Sequence, residues 1–160
     1  PVIGIPQGLP ARDVIVSMNH REAQQIINQS AERGLEQGQS QRCGQAREAG
    51  LVASLVASLL GCPVVVRAGA EGAYFARPAA SANTGADVTY IPTPRVAAID
   101  TNGAGDAHSG VLAVALAQAI PLERALLLAN CAGALSTTIV GPASCPAREQ
   151  IEAAADALAD

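Results

Sequence analysis

Short apolar runs separated by more polar segments dominate the first half of the chain. Residues 13–18 are rich in β-branched side chains and predict a buried strand, and residues 20–30 predict the helix that follows it. Three more apolar runs of strand length occur at residues 64–66, 73–76 and 88–91. Strands that alternate with helices in this way favour an α/β fold, with a mostly parallel sheet covered on both faces.

Longer segments predict further helices. Residues 51–60 are apolar and end at a Gly-Cys-Pro tripeptide that stops a helix, and residues 107–119 contain almost no polar side chain, which predicts a buried helix. Residues 122–138 and the amphipathic stretch 146–159 predict two more. Residues 32–50 are polar and contain four glycines, so we expect a flexible segment there.

Composition narrows the possible chemistry. The chain has 160 residues, of which 49% are apolar and 15% charged, and this predicts one domain over residues 1–160 with its own core. All ten basic residues are arginine, so the chain contains no lysine. A Schiff base with pyridoxal phosphate and a Walker A loop both need lysine, and both are therefore excluded.

Charge and cysteine content indicate the kinds of partner and the compartment. The net charge of −4 and the absence of a basic cluster argue against nucleic acid as a partner. No apolar segment is long enough to span a membrane, and no secretory signal is evident, so we expect no membrane partner. The four cysteines form no C-x-x-C pair, and we expect buried or half-buried thiols in a cytoplasmic protein.

The stretch that says most about chemistry is residues 100–106, Asp-Thr-Asn-Gly-Ala-Gly-Asp, directly before the apolar helix. Its glycines let the backbone approach a ligand, and the first turn of a helix attracts anions. Asp106 fits this place as a base that takes a proton from an attacking hydroxyl during phosphoryl transfer. The plain alternative is a glycine-rich turn with Asp106 as a helix-terminal charge, and the residues alone leave both open.

These residues closely resemble the D-T-x-G-A-G-D signature of the ribokinase / phosphofructokinase-B family of ATP-dependent sugar and nucleoside kinases. Three more segments resemble family motifs in the family's order: residues 19–22 its N-x-x-E motif, residues 65–72 its V-x-T-x-G-x-x-G strand and turn, and residues 129–146 its last long helix and loop. Together they span residues 12–155. The resemblance implies a Rossmann-like, ribokinase-like three-layer α/β/α sandwich and transfer of the ATP γ-phosphoryl group to a sugar or nucleoside hydroxyl.

The resemblance also implies a catalytic centre and a place for Mg²⁺. Asp106 is implied as the catalytic base. The implied anion hole consists of Gly103, Ala104 and Gly105. Asn19 and Glu22 are implied to organise Mg²⁺, water and the phosphates, although the same pair has the spacing of a helix N-cap with its capping box.

Nucleotide contacts and a cation site follow from the resemblance in the same way. The implied nucleotide contacts are Arg67, Gly69, Gly72 and Asn130, the last near the adenine. K⁺ is a further candidate cofactor, with Asp100 and backbone carbonyls near Ile139 and Gly141 as ligands. For Asn130 the alternative is a polar residue on a helix flank, and for Asp100 it is a structural carboxylate bonded to nearby N–H groups.

The chain departs from the family in two residues and in length. Arg67 replaces the usual Thr, and Cys145 stands where a hydroxyl residue often helps to bind the cation. The chain is much shorter than family members and resembles their C-terminal, nucleotide-binding half. We therefore expect an open sheet edge that is covered by a missing N-terminal half, by a second copy in a homodimer, or by a partner chain.

The function expected from the resemblance is carbohydrate kinase activity with ATP and Mg²⁺. Two alternatives remain open. One is a truncated nucleotide-binding module without turnover, and the other is a vitamin-precursor kinase, against which Ala104 argues mildly. His108 follows the base by two positions, and we expect it to pack or form hydrogen bonds rather than take part in catalysis.

Overall fold

The computed structural model describes residues 14–32, 45–78 and 87–159. Its first elements are β1 (Val16–Asn19), α1 (His20–Glu32), α2 (Gln45–Leu60), β2 (Val64–Arg67), β3 (Ala73–Arg77) and β4 (Asp87–Ile91). A 3₁₀ turn, Gly69–Glu71, lies between β2 and β3. These are followed by α3 (Ala104–Ala117), α4 (Leu122–Ser136) and α5 (Arg148–Asp156).

The described residues form two compact units. Of the described residues, those up to Ala68 and those between Tyr74 and Tyr90 form the first unit, and Gly69–Ala73 and those from Ile91 onward form the second. That residues 1–160 act as one ATP-binding domain stays a prediction.

The strands lie side by side in the order β1-β2-β3-β4. β1 and β2 are parallel, with Val16 opposite Val64 and Asn19 opposite Arg67. The short connection through the 3₁₀ turn makes β3 run antiparallel to β2, because a parallel crossover needs about a dozen residues or more. The predicted α/β fold is thus confirmed, and its sheet is mixed.

The core of the first unit forms where α2 packs on the parallel strands. Val52 and Val56 of α2 lie against Val64 and Val66 of β2 and against Met18 of β1, and all five side chains are buried. Burying an aliphatic side chain of this size stabilises the fold by roughly 1.5–3 kcal/mol. The apolar side chains of α2 therefore fix the parallel strands by packing, and they also position the residues at the carboxyl ends of those strands.

The second unit is built on three helices. α3 and α4 approach closely because Gly133 has no side chain. A Cβ atom at that position would lie 3.2 Å from the carbonyl oxygen of Ala104 and 3.5 Å from Cβ of His108. On its other side, α4 packs against α5 through Leu128 and Ile151. The small residue thus fixes the start of α3 against α4.

Several boundaries differ from those that the sequence predicts. The strand predicted at residues 13–18 is β1, which begins at Val16. α2 begins at Gln45, so its first turn falls in the segment expected to be flexible. Residues 33–44 of that segment, which include Cys43, lie outside the described residues. The helix expected at 146–159 is α5, which is shorter at both ends.

The largest difference concerns the burial of α3. The sequence predicts a buried helix, but only Ala107, His108, Leu112 and Ala115 of α3 are buried, and Val114 is 51% exposed. The prediction of a buried helix is therefore wrong. Its physical cause is that α4 covers one side of a helix that is apolar on all sides.

The cysteines also divide differently from expectation. Cys62 and Cys131 are buried, as predicted, whereas Cys145 is exposed. Burial raises the pKa of both buried thiols. The pKa of Cys131 rises to about 11, although the charge of Arg124 lowers it by a smaller amount. The prediction of a buried or half-buried thiol is wrong for Cys145, which follows the loop after α4.

Candidate active site

The turn that starts α3 has a conformation that requires glycine. Gly103 is the N-cap residue of α3 and has φ +79° and ψ −7°, in the left-handed region. A Cβ atom there would lie 2.2 Å from the carbonyl oxygen of Pro142. The turn closes with Ala107 N donating to the Gly103 carbonyl at 2.9 Å. The helix start is therefore fixed against the loop at Pro142, with the positive end of its dipole at this turn.

Asp100 connects this turn to the same loop. Its Oδ1 accepts a hydrogen bond from Asn102 N at 3.0 Å, and its Oδ2 accepts one from Gly141 N at 2.9 Å. These two bonds hold the pKa of the Asp100 carboxyl below its usual value, and the bond from Asn102 has the larger effect. The structural role that the sequence left open for Asp100 is thus observed, and each oxygen retains lone pairs for a cation.

The segment before the turn is held by the end of α4. Ile99 N and Asp100 N both donate to the carbonyl oxygen of Thr137, at 2.7 and 3.0 Å. The Thr137 hydroxyl donates in turn to the Ala134 carbonyl at 2.7 Å. The sequence places Thr137 in a predicted helix and Pro142 in the loop after it, but it predicts no contact of either with the motif, because these contacts depend on how the chain packs.

Asp106 lies in the first turn of α3 and is exposed. It lines a cavity of about 520 Å³ that the second unit forms between α3, α5 and the loop after α4. His108, two positions later, is buried next to Gly133, as expected for a packing residue. The exposed carboxylate can therefore meet a substrate, whereas the imidazole is held in the interior.

Two of the residues implied as cation ligands, Ile139 and Gly141, follow the end of α4, whereas Asp100 precedes α3. Ile139 is exposed, and Gly141 has φ +102°. The hydroxyl of Ser144, in the same loop, is buried and has no hydrogen-bond partner in the part of the chain that the structure describes. The described residues contain no group of three or more His, Cys, Asp and Glu side chains that could hold a metal ion. The oxygen atoms that the loop offers are backbone carbonyls and the Ser144 hydroxyl.

Asn130 has a structural role in the described part of the chain. Its side chain is buried in α4, and Nδ2 donates to the carbonyl oxygens of Ile91 and Pro92 at 3.0 and 2.9 Å. Its own carbonyl accepts a bond from the Thr93 hydroxyl at 3.5 Å. The amide group thus ties the chain after β4 to α4, and its proximity to an adenine stays a prediction.

Three predicted phosphate-binding residues belong to the first unit, at the carboxyl ends of its parallel strands. Asn19 Oδ1 accepts from Glu22 N at 2.9 Å, and Glu22 Oε2 accepts from Asn19 N at 2.8 Å. This is the capping box that the sequence leaves open as an alternative. Arg67 lies opposite Asn19 in the strand pairing. Ligands of α/β proteins commonly bind at this edge of parallel strands.

The glycines after β2 form a turn in which Gly69 is exposed and Gly72 is buried. Gly69 and Gly72 have φ of +60° and +91°, and Gly72 N donates to the Gly69 carbonyl at 3.1 Å. No atom lies within 4 Å of a Cβ built on Gly69. The turn predicted between residues 69 and 72 is therefore confirmed, and the space beside Gly69 is open to a ligand.

The family's sequence profile, described as that of pfkB family carbohydrate kinases, matches residues 6–149. The chain belongs to this family. An uncharacterized sugar kinase of Escherichia coli strain K12, YegV, is 34% identical over 90 residues, which are 56% of this chain and 26% of that protein.

Solved structures of the family share the fold. Thermotoga maritima ribokinase is 28% identical, with a TM-score of 0.64 over 87% of this chain and 41% of that one. Escherichia coli phosphofructokinase-2, crystallised with potassium, is 21% identical, with a TM-score of 0.64 over 91% and 41% of the two chains. A putative ribokinase II of Escherichia coli, crystallised with ATP and Mg²⁺, matches at 23% identity and a TM-score of 0.62, over 89% and 39%.

The pfkB-family chain spans about a quarter of the curated relative and about two-fifths of the solved structures. The ribokinase-like fold class implied by the sequence is confirmed by these likenesses. In the described residues, no helix has the length and apolar character needed to cross a membrane.

Proposed function

We propose that this pfkB-family chain carries the ATP-binding and catalytic part of a carbohydrate kinase. The reaction is transfer of the γ-phosphoryl group of ATP to a hydroxyl of a sugar or nucleoside. The observation that supports it most directly is the turn at Gly103, which the Pro142 contact holds rigid at the positive end of α3. A rigid helix N-terminus stabilises the charge on a transferring phosphoryl group without having to reorganise.

In this proposal Asp106 is the catalytic base. The acceptor hydroxyl gives its proton to the Asp106 carboxylate as its oxygen forms a bond to the γ-phosphorus, and the bond from that phosphorus to the bridging oxygen of ADP breaks. Gly103, Ala104 and Gly105 supply the anion hole through their backbone. The exposure of Asp106 on the cavity side of α3 supports this role, since the base must reach the acceptor.

The first unit supplies phosphate-binding residues in the proposal. Mg²⁺ in phosphoryl-transfer sites is usually held by one or two carboxylates and by the substrate's phosphates. Glu22 fits that requirement, because the capping box uses only its Oε2. Arg67 is assigned to the phosphates, since guanidinium binds them in two-pronged geometry. The open space at Gly69 allows the nucleotide to approach the chain, and the buried Gly72 is proposed to shape the same turn.

A K⁺ site at Asp100, Ile139 and Gly141 is proposed as a second feature. The buried Ser144 hydroxyl in the same loop supports it, because a buried polar oxygen without a partner is costly unless a ligand or water satisfies it. The Ser144 hydroxyl would supply the oxygen expected of a hydroxyl residue at position 145, where this chain has cysteine.

The reduced thiols of Cys62 and Cys131 fit a cytoplasmic location.

The second candidate function is a nucleotide-binding module without turnover, and the coverage of about two-fifths of the similar structures favours it. Calorimetric titration with Mg-ATP, beside a phosphate-transfer assay over sugars, nucleosides and vitamin precursors, separates the possibilities. We expect binding together with turnover of a sugar or nucleoside. Binding without turnover establishes the module, and turnover of a vitamin precursor alone establishes that branch. Absence of nucleotide binding contradicts both functions.

A further inference from the structure

The strand β4 has a neighbouring strand on one side. It lies next to β3 at the end of the sheet, and among the described residues no strand lies on its other side. The rings of Tyr74, near the start of β3, and Tyr90, near the end of β4, lie 5.3 Å apart, so the two strands run antiparallel. A strand in this position presents main-chain N–H and C=O groups at alternate residues, and a further strand can pair with them.

The sequence of β4 lacks the features that keep edge strands apart. Proteins usually protect such edges with lysine, proline or a charge within the strand. β4 reads Asp-Val-Thr-Tyr-Ile, and its one charged residue, Asp87, stands at the end of the strand. Its two outermost apolar side chains are accessible, since Val88 is 37% and Tyr90 is 52% exposed. The edge is therefore suited to pairing with another strand.

We propose that β4 is the contact between two copies of this chain, which pair antiparallel about a two-fold axis perpendicular to the sheet. Such an axis makes each residue face one whose side chain points to the same side of the sheet, so one residue must lie on the axis. With Thr89 on the axis, all five residues of β4 are paired, whereas an axis at Val88 or Tyr90 pairs only three. The two sheets then form one continuous sheet.

The side chains fit this register. Val88 and Tyr90 point to the α2 side of the sheet, because a Cβ atom on Gly50 of α2 would lie 3.7 Å from Cγ1 of Val88. With Thr89 on the axis, Val88 of each copy lies opposite Tyr90 of the other. A β-branched residue opposite an aromatic one is a pair that stabilises antiparallel strands. Each exposed apolar side chain of β4 is thus covered by the other copy.

Charge also favours a second copy in this register. Each chain has a net charge of −4, so two copies attract only if their carboxylates stay apart at the contact. With Thr89 on the axis, the two Asp87 residues lie at opposite ends of the paired strands, roughly 14 Å apart along the strand direction. Salt screens charges at that distance. The inference goes beyond the proposed function, because strand pairing does not depend on phosphate transfer.

A cysteine on the axis tests the register. Facing residues of antiparallel strands have Cα atoms about 4.5–5.5 Å apart, which a disulfide can bridge. In a chain that carries Cys43→Ser and Cys145→Ser, Thr89→Cys should form a disulfide-linked dimer with oxidised glutathione as the oxidant, and peptide mass spectrometry identifies the bond.

Val88→Cys in the same background is the matched control. Its two copies would lie diagonally across the pair, about 7–8 Å apart, so this variant should cross-link at least tenfold more slowly. Absence of the disulfide at position 89, or equal rates for the two variants, overturns the proposal.

The mass in solution provides a second test. Analytical ultracentrifugation of the unsubstituted chain should give twice the 16.1 kDa of one copy. Tyr90→Lys should raise the dissociation constant of the dimer at least tenfold, because an ammonium group replaces the ring opposite Val88. Val114→Lys changes a side chain of α3 at nearly equal exposure, 51% against 52%, and should leave the constant unchanged.

Two results of this measurement would contradict the proposal. A chain that stays monomeric at every concentration tested overturns it. A dimer that Val114→Lys separates and Tyr90→Lys does not places the contact on α3, and this also overturns it. If Tyr90→Lys fails to fold, the cross-linking at position 89 still decides between a paired and an unpaired β4.

Discussion

A Cβ atom on Gly103 would clash with the backbone of Pro142, whose carbonyl oxygen would lie 2.2 Å away. The glycine is thus required twice, once by its positive φ and once by this contact. The two residues belong to distant parts of the chain. Their contact is what holds the proposed anion hole in one conformation.

Substitution of Gly103 tests this double requirement. Gly103→Ala should destabilise the second unit by more than the roughly 1–2 kcal/mol that a left-handed φ costs an L-residue, because the backbone at Pro142 must also move. Gly69→Ala is the matched control, with φ +60° and no atom within 4 Å of its Cβ. Chemical denaturation measures both. An equal loss of unfolding free energy in the two variants would mean that the Pro142 contact does not add to the cost of a side chain at position 103.

The role of Asp106 is tested by Asp106→Asn. The exposed side chain changes little in size, so stability and Mg-ATP affinity should be nearly unchanged, while kcat for phosphate transfer should fall by about 10²–10⁴-fold through loss of the base. Glu123→Gln, an exposed change in the first turn of α4, serves as control. Turnover that survives Asp106→Asn within tenfold shows that another group takes the proton.

Asp100 should make stability depend on pH. Its pKa is lowered in the folded protein by the hydrogen bonds from Asn102 and Gly141, so the ionised carboxylate stabilises the fold. This contribution is present above the unfolded pKa of about 3.9 and is lost as the pH falls through the lowered folded pKa. Asp100→Asn should therefore lower the urea midpoint at pH 7, and the difference from the unsubstituted chain should shrink toward pH 3. A difference that stays constant between these pH values contradicts this account.

Asn19 can be separated into its two proposed roles. Asn19→Ala removes the cap of α1 and should destabilise the first unit by about 1 kcal/mol, whereas Asn19→Ser preserves a capping oxygen and should have little effect on stability. If the Asn19 amide also helps to organise phosphates, both variants should weaken Mg-ATP binding. Asn28→Ala, at an exposed position of α1, is the control. Normal affinity in Asn19→Ser would leave Asn19 as a cap alone.

We expect substitution of Asn130 to reduce the stability of the fold more than it reduces the affinity for nucleotide. Asn130→Ala removes the donors to the Ile91 and Pro92 carbonyls and should destabilise the second unit by about 1–3 kcal/mol, the cost of leaving buried polar groups unpaired. Thr93→Val removes only the 3.5 Å bond to the Asn130 carbonyl and should cost much less. Thermal unfolding compares them. A stable Asn130→Ala with weakened ATP binding would instead favour the adenine contact.

Patterns of neighbouring residues were sufficient to predict the fold class, the capping box and the glycine turns. The alternation of β-branched runs with helices gave the α/β class, and the spacing of Asn19 and Glu22 gave a capping box that the structure contains. The glycines at positions 69, 72 and 103 were expected in turns and adopt positive φ. Each of these features is determined within a few residues, which is why a sequence pattern can reveal it.

Features that depend on packing were not predictable. The role of Pro142 arises from a carbonyl that meets Gly103, and that of Thr137 from a carbonyl that meets Ile99 and Asp100. Neither has a signature in local sequence. The exposure of α3 was missed for a related reason: apolar composition predicts that a helix is buried, but its burial depends on which elements pack against it.

The bonds that close the motif also impose an order on folding. Asp100 accepts its bond from Gly141 across 41 positions of the chain. During synthesis, residues 100–106 leave the ribosome well before Thr137, Gly141 and Pro142. The turn at residues 100–106 can therefore take its final form only after the whole of α4 has been made, so in a nascent chain this turn stays incomplete until that helix docks.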